Sequence, residues 1–147
     1  MQKNVTVLFG LKKINMKGFK GNIEKETLEN ENFRKVLYTG KHLQLVLMSL
    51  KVGEDIGEEV HLNNDQFFRF ESGSGKCIID GNVYAIEGGD VIVVAAGAKH
   101  NIINTNSSEK FKMYTIYGPP NHQEGTIRST KEDAVKNEEQ FDGKTTE

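Results

Sequence analysis

Two clusters in this sequence carry side chains able to do chemistry. The first runs Gly53, Glu59, His61, Gln66, Gly73, and the second Gly89, Asp90, Gly97, His100, Asn104. Glu59 and His61 are two positions apart, so on a strand both point to one face. After a turn at Asn63-Asn64-Asp65 the chain returns and Gln66 opens the next strand. An antiparallel neighbour there is the natural source of a third ligand. His100 follows the turn at Ala96-Gly97 and begins another strand. Carboxylate, imidazole and amide oxygen are donors for a divalent cation, which polarises a bound hydroxyl or carbonyl.

The elements that must position these groups read almost entirely as strands. Phe33 to Thr39 and His42 to Val52 are β-rich runs separated by Gly40-Lys41, a hairpin signal. Further runs follow at Gly57–Leu62, Gln66–Glu71, Lys76–Asp80, Val83–Ile86, Val91–Val94, His100–Asn104 and Phe111–Tyr117. Gly73-Ser74-Gly75, Asp80-Gly81-Asn82, Gly88-Gly89-Asp90 and Asn106-Ser107-Ser108 punctuate them as turns. Short strands at this spacing predict an all-β sandwich or barrel, and no long helical pattern alternates with them.

The ends differ from the middle. Residues 1–32 read as an N-terminal extension in which Val5–Phe9 adds an edge strand. Past Pro119-Pro120, residues 119–147 form a polar tail. Ser129 with Glu132 resembles a capping box, which predicts a short helix over Lys131–Glu138. The last eight or so residues read as disordered, being polar and terminal.

At 147 residues the chain has room for one domain and one core. Its 36% hydrophobic and 27% charged residues are ordinary for a soluble globular protein. No apolar run approaches the roughly 20 residues a membrane span requires. A formal net charge of −2 without a Lys/Arg run points to neither nucleic acid nor a membrane as partner. Cys77 is the single cysteine and lies in an apolar stretch, as a small buried residue does. Val5–Phe9 is too short and too interrupted for a secretory leader, so the expected location is cytoplasmic.

The spacing of the two clusters resembles the cupin superfamily. The first family motif reads Gly, five residues, His, one, His, four, Glu, six, Gly, and Gly53, Glu59, His61, Gln66 and Gly73 reproduce every gap. The second reads Gly, five, Pro, one, Gly, two, His, three, Asn, matched by Gly89, Ala95, Gly97, His100 and Asn104. Fifteen residues separate the motifs. The resemblance implies a double-stranded β-helix, or jelly-roll barrel, over residues 33–118, followed by the short helical tail. It also implies a single divalent ion (Mn, Fe, Co, Ni or Zn) held by Glu59, His61, Gln66 and His100. Three positions depart from the family pattern: Glu59 for the first His, Gln66 for the Glu and Ala95 for the Pro. The first two exchanges keep an oxygen or nitrogen donor at each ligand position.

Around this set, alternation puts Phe68 and Phe70 on the face of Gln66, where with Asn104 they are candidates to line a substrate pocket. Phe67 and Arg69 point the other way by the same parity. His122 and Glu124 follow Pro119-Pro120 and are candidates to close over the barrel mouth as acid/base groups. The phrases Asp65-Gln66-Phe67-Phe68-Arg69 and Tyr114–Pro120 are similar to small bacterial cupins described as mannose-6-phosphate isomerase-like. That similarity implies a metal-dependent isomerase or tautomerase on a small polar, sugar-like molecule. Two alternatives stand beside it. Glu59, His61 and His100 are also the two-His, one-carboxylate set of non-haem iron dioxygenases. A barrel that only binds a carbohydrate or small molecule needs no reaction. Cupin relatives often pair barrels through N-terminal strands, so a homodimer is expected.

Overall fold

The computed structural model describes residues 15–147; the expected edge strand Val5–Phe9 lies outside them. Ten strands and two short helices follow in the order α1 (Ile23–Glu29), β1 (Arg34–Thr39), β2 (Gln44–Leu50), β3 (Glu59–Val60), β4 (Asp65–Ser72), β5 (Ser74–Ile79), β6 (Asn82–Glu87), β7 (Val91–Val94), β8 (Lys99–Asn104), β9 (Phe111–Gly118), β10 (Ile127–Arg128) and α2 (Lys131–Lys136). They form a six-stranded sheet, β10-β1-β2-β9-β4-β7, and a four-stranded sheet, β3-β8-β5-β6. All pairings are antiparallel. This is the expected jelly-roll barrel.

Period-two alternation decides which side chains enter the barrel. Along β4, Gln66, Phe68 and Phe70 are buried while Phe67 and Arg69 are not. Phe68 and Phe70 meet Val46, Met48 and Leu50 of β2, Met113 of β9, and Cys77 and Ile102 from the other sheet in one continuous core. Removing these faces from water is the main stabilising term of such a fold. Two motif glycines have a backbone reason. Gly73 sits at φ +91°, and a Cβ there would lie 2.5 Å from the Lys110 carbonyl oxygen. Gly97, at φ +90°, makes the turn that feeds β8.

Several expectations about the ends are corrected. The extension contains α1, whose N-cap Asn22 accepts from Lys25 N–H at 3.0 Å. Its single buried residue is Thr27, so no long apolar periodicity marks it. Helix α2 is present but is capped by Thr130, which accepts from Asp133 N–H at 3.1 Å, and not by Ser129. The tail also adds strand β10 to the edge of β1. The last residues are docked instead of disordered. Phe141 N–H donates to Asn121 O at 3.0 Å and Thr146 N–H to Thr39 O at 2.9 Å. Tyr38 Oη donates to a Glu147 carboxylate oxygen at 2.7 Å. Among the described residues, no helix is long and apolar enough to cross a membrane.

Candidate metal centre

Strands β3 and β8 bring the first three groups together. Glu59 stands directly opposite His100 in the ladder, and His61 lies two residues beyond Glu59. The Gly97 N–H donates to the His61 carbonyl at 2.8 Å, tying the turn of the second motif to the first. One ligand atom from each of Glu59, His61 and His100 lies within 4.8 Å of the others. Glu59 Oε2 is 3.1 Å from His61 Nε2 and 3.9 Å from His100 Nε2. The two imidazole rings tilt against each other at 5.4 Å.

His100 is 3% exposed. Its Nδ1 is 3.2 Å from the Ala98 carbonyl oxygen, which can only accept, so that contact requires the proton on Nδ1. Nε2 is then left with a free lone pair, and it is buried without a hydrogen-bond partner. This is the tautomer a metal-ligating histidine adopts. Burial lowers the His100 pKa, opposed in part by the Ala98 bond and the Glu59 charge. Burial raises the Glu59 pKa. The His61 hydrogen bond and the charges of His61, Arg34 and His100 outweigh this, and the carboxyl stays below its usual range.

Gln66 reaches the interior by another route than expected. The neighbour of β3 is β8, not β4. The turn at Asn63–Asp65 carries the chain into the other sheet, where Gln66 pairs with Tyr117 on one side and Val94 on the other. Gln66 is 1% exposed. Its Nε2 donates to Thr115 Oγ1 at 3.0 Å, which fixes the amide, and its Oε1 is buried without a partner. Two buried acceptors, His100 Nε2 and Gln66 Oε1, therefore lack a donor, as suits groups that coordinate a cation. The converging set of two imidazoles and one carboxylate, Glu59, His61 and His100, fits a divalent ion.

A cavity of about 680 Å³ reaches this centre at Glu59 and His61, while His100 and Gln66 do not line it. Glu59 and His61 line it together with Arg34, His122, Glu139 and Phe141. Phe68, Phe70 and Asn104 do not. Phe68 packs edge-on to His100 at 6.3 Å, and Phe70 stacks on Phe111 at 4.8 Å, both within the core. Asn104 is a clamp: its Nδ2 donates to the carbonyls of Leu50, Lys51 and Glu109. Of the two residues expected at the mouth, His122 lines the cavity and is 6% exposed. Glu124 faces the Thr146 hydroxyl and does not line it.

His122 is held by its backbone and its ring. Its N–H donates to Gln44 Oε1 at 2.9 Å, and its carbonyl accepts from Gln44 Nε2 at 2.7 Å. Its Nδ1 lies 3.1 Å from Glu139 Oε1 and its Nε2 3.1 Å from Tyr117 Oη. Nδ1 and Glu139 Oε1 are within ion-pair range, yet both are buried without a hydrogen-bond partner, while Nε2 and the Tyr117 hydroxyl are within hydrogen-bond range. The Tyr117 ring in turn packs edge-on to His61 at 5.6 Å. Glu139 and Arg34 complete this wall, with Arg128 behind Glu139; Glu139 oxygens lie 3.5 Å from Arg34 Nη1 and 3.1 Å from Arg128 Nη2. Burial lowers the His122 pKa against the opposing pull of Glu139. Burial raises that of Tyr117. Burial would raise Glu139 too, but His122 and the two arginines hold it below the usual carboxylate range. Sequence reasoning missed Arg34 and Glu139. The available signal was only a charged residue opening an apolar strand and one Glu among many in the tail.

Comparison with known proteins agrees with this architecture. The family described as Cupin domain matches residues 46–117. A Bacillus subtilis (strain 168) protein, "Uncharacterized protein YrkC", is 46% identical over 138 residues, covering 88% of this chain and 72% of its own length. "Uncharacterized protein L612" of Acanthamoeba polyphaga mimivirus is 43% identical over 109 residues, covering 72% of this chain and 68% of its own. The crystal structure of BH2720 from Bacillus halodurans superposes with a TM-score of 0.80 at 41% identity, over 82% of this chain and 96% of that one.

Proposed function

This chain belongs to the cupin family, and from that premise we propose that it is a metal-dependent enzyme acting on a small, sugar-like molecule by isomerisation or tautomerisation. Glu59, His61 and His100 hold one divalent ion, with Gln66 as fourth donor. The observation that carries the reading is the convergence of the first three, with His100 Nε2 buried, deprotonated and unpartnered. When bound, the ion supplies Lewis-acid polarisation of a carbonyl or hydroxyl oxygen.

The chain's own residues supply the rest. The cavity admits a small polar molecule and lies within the usual size range of ligand pockets, about 300–1,000 Å³. His122 sets Nδ1 beside Glu139 and Nε2 beside the Tyr117 hydroxyl. It is the group suited to move a proton between adjacent carbons, since it lines the cavity and burial lowers its pKa. Phe141 and residues 119–122 form part of the cavity lining. The likeness to the mannose-6-phosphate isomerase-like cupins supports this reaction class. The working unit is a cytoplasmic homodimer.

The test is a panel of aldoses and ketoses incubated with metal-loaded protein in D2O, followed by NMR. Deuterium entering at the carbon next to the carbonyl supports the proposal, and its absence across the panel sinks it. A second reading follows from the two-His, one-carboxylate set, which is also that of iron dioxygenases. Bound redox-active iron and substrate-dependent oxygen uptake would favour it. A chain without a metal would leave the non-catalytic binding module.

A further inference from the structure

One wall of the cavity carries a buried arginine, Arg34, with an unfilled donor. Glu139 faces two guanidinium groups, those of Arg34 and Arg128. Of these two guanidinium groups, only that of Arg34 lines the cavity. Among the described residues no other carboxylate pairs with Arg34, although Glu58, Glu59 and Glu138 also line the cavity. Glu58 pairs with Lys99 at 3.4 Å, Asp55 pairs with Lys131, and Glu138 lies exposed at the rim. Glu59 belongs to the metal centre.

The two arginines differ in how they are used. Arg128 donates to Glu139 and also to the Asn137 carbonyl at 2.8 Å. Arg34 is 8% exposed, and among the described residues its guanidinium makes no hydrogen bond, only the 3.5 Å contact with Glu139. Its Nε is buried without a partner. Phe33 lies 5.5 Å from the guanidinium carbon and supports it on one side. A buried fork of five N–H donors is costly to leave unfilled, and its planar geometry matches a carboxylate or phosphate. Arg34 lines the same cavity as Glu59 and His61.

We propose that Arg34 anchors an anion subsite, binding the carboxylate or phosphate group of a sugar-like ligand whose other end lies over Glu59, His61 and His100. Only the placement of that far end rests on the metal-dependent reading. The ligand is thus an acidic sugar, whose anionic group fills the Arg34 donors that the contact with Glu139 leaves without a hydrogen bond.

The test is calorimetric titration with glucose, glucuronate and glucose 6-phosphate, on metal-loaded and metal-free protein. One acidic sugar is expected to bind at least about tenfold tighter than glucose, the fold-change of one charge-assisted hydrogen-bonded pair. Which of the two does so assigns the group as carboxylate or phosphate. Arg34→Gln should bring that sugar to within about threefold of glucose. Arg34→Lys keeps the charge opposite Glu139 but loses the fork, and should cut the preference several-fold at an unchanged melting temperature. A preference surviving in both variants, no preference in the wild type, or no binding of any of the three would overturn the subsite. Discrimination that persists in a chain binding no metal would leave the subsite standing while the metal reading fell. Metal binding without discrimination would do the reverse.

Discussion

Replacing Glu139 with Gln removes the one carboxylate that serves two arginines and the His122 ring. The Glu139 side chain is 7% exposed, and its partners Arg34, His122 and Arg128 are 10%, 7% and 22% exposed. Breaking a buried ion pair by neutralising one partner costs about 3–5 kcal/mol. Arg128 keeps some access to water and its bond to Asn137, so a loss near the lower bound, about 3 kcal/mol, is expected. For a domain of this size that corresponds to a fall in melting temperature of roughly 6–12 °C. The pH dependence has a definite sign. The Glu139 pKa is depressed in the folded state, so its contribution is complete above the unfolded value of about 4.5 and disappears as pH falls through the folded one. The gap between wild type and Glu139→Gln should therefore be widest at neutral pH and narrow in acid. His122 acts in the same direction from a higher pH: its depressed pKa means the unfolded chain takes up a proton first, and stability declines below about 6.5. Urea denaturation of wild type, Glu139→Gln and the exposed control Glu138→Gln from pH 4 to 8 measures all three effects. A Glu139→Gln loss under about 1 kcal/mol at pH 7, or one equal to that of the control, would refute the reasoning.

Other outcomes follow from the same geometry. His61→Ala and His100→Ala should abolish metal retention in a folded barrel, Glu59→Ala should weaken it next, and Gln66→Ala least, since water can replace a neutral amide oxygen. Metal content per chain after gel filtration ranks them, and a Gln66→Ala loss as large as that of His100→Ala would contradict the order. Gly73→Ala should destabilise by about 2 kcal/mol or more, because it combines a left-handed backbone with a Cβ against the Lys110 carbonyl. A melting temperature within about 2 °C of wild type would show that the β4–β5 turn relaxes freely. The homodimer is checked by sedimentation at micromolar concentration, where a monomer would count against it.

How much was legible depended on whether local periodicity or distant pairing set each position. The alternation of Gln66, Phe68 and Phe70 along β4 states its inward face within a few residues, and the structure buries those three. Glu59, His61 and His100 could be grouped because motif spacing encodes which strand positions face inward. The sheet to which Gln66 belongs was not legible. A three-residue turn closes a hairpin or crosses between sheets equally well, and long-range pairing with Tyr117 decides. Arg34 and Glu139 were invisible for the same reason. A charged residue reads as solvated unless its partner is known, and these two are more than a hundred positions apart. Ser129 and Thr130 are both capping residues, and only the frame of the helix chooses between them. The docked C-terminus depends on backbone bonds at Thr39 and Asn121, which no property of a polar tail announces.

The central claim is that Glu59, His61 and His100 form a metal centre. It is tested most directly by elemental analysis of protein purified without a His tag, before and after chelation, with melting temperatures recorded on both samples. A metal centre there predicts close to one divalent ion per chain and a lower melting temperature once it is stripped, a loss of about 3 kcal/mol of stability if metal stands at a hundred times its dissociation constant. His100→Ala should show neither the ion nor the shift. A wild-type chain with no divalent ion, whose melting temperature is unmoved by added Mn, Fe, Co, Ni or Zn, would contradict it.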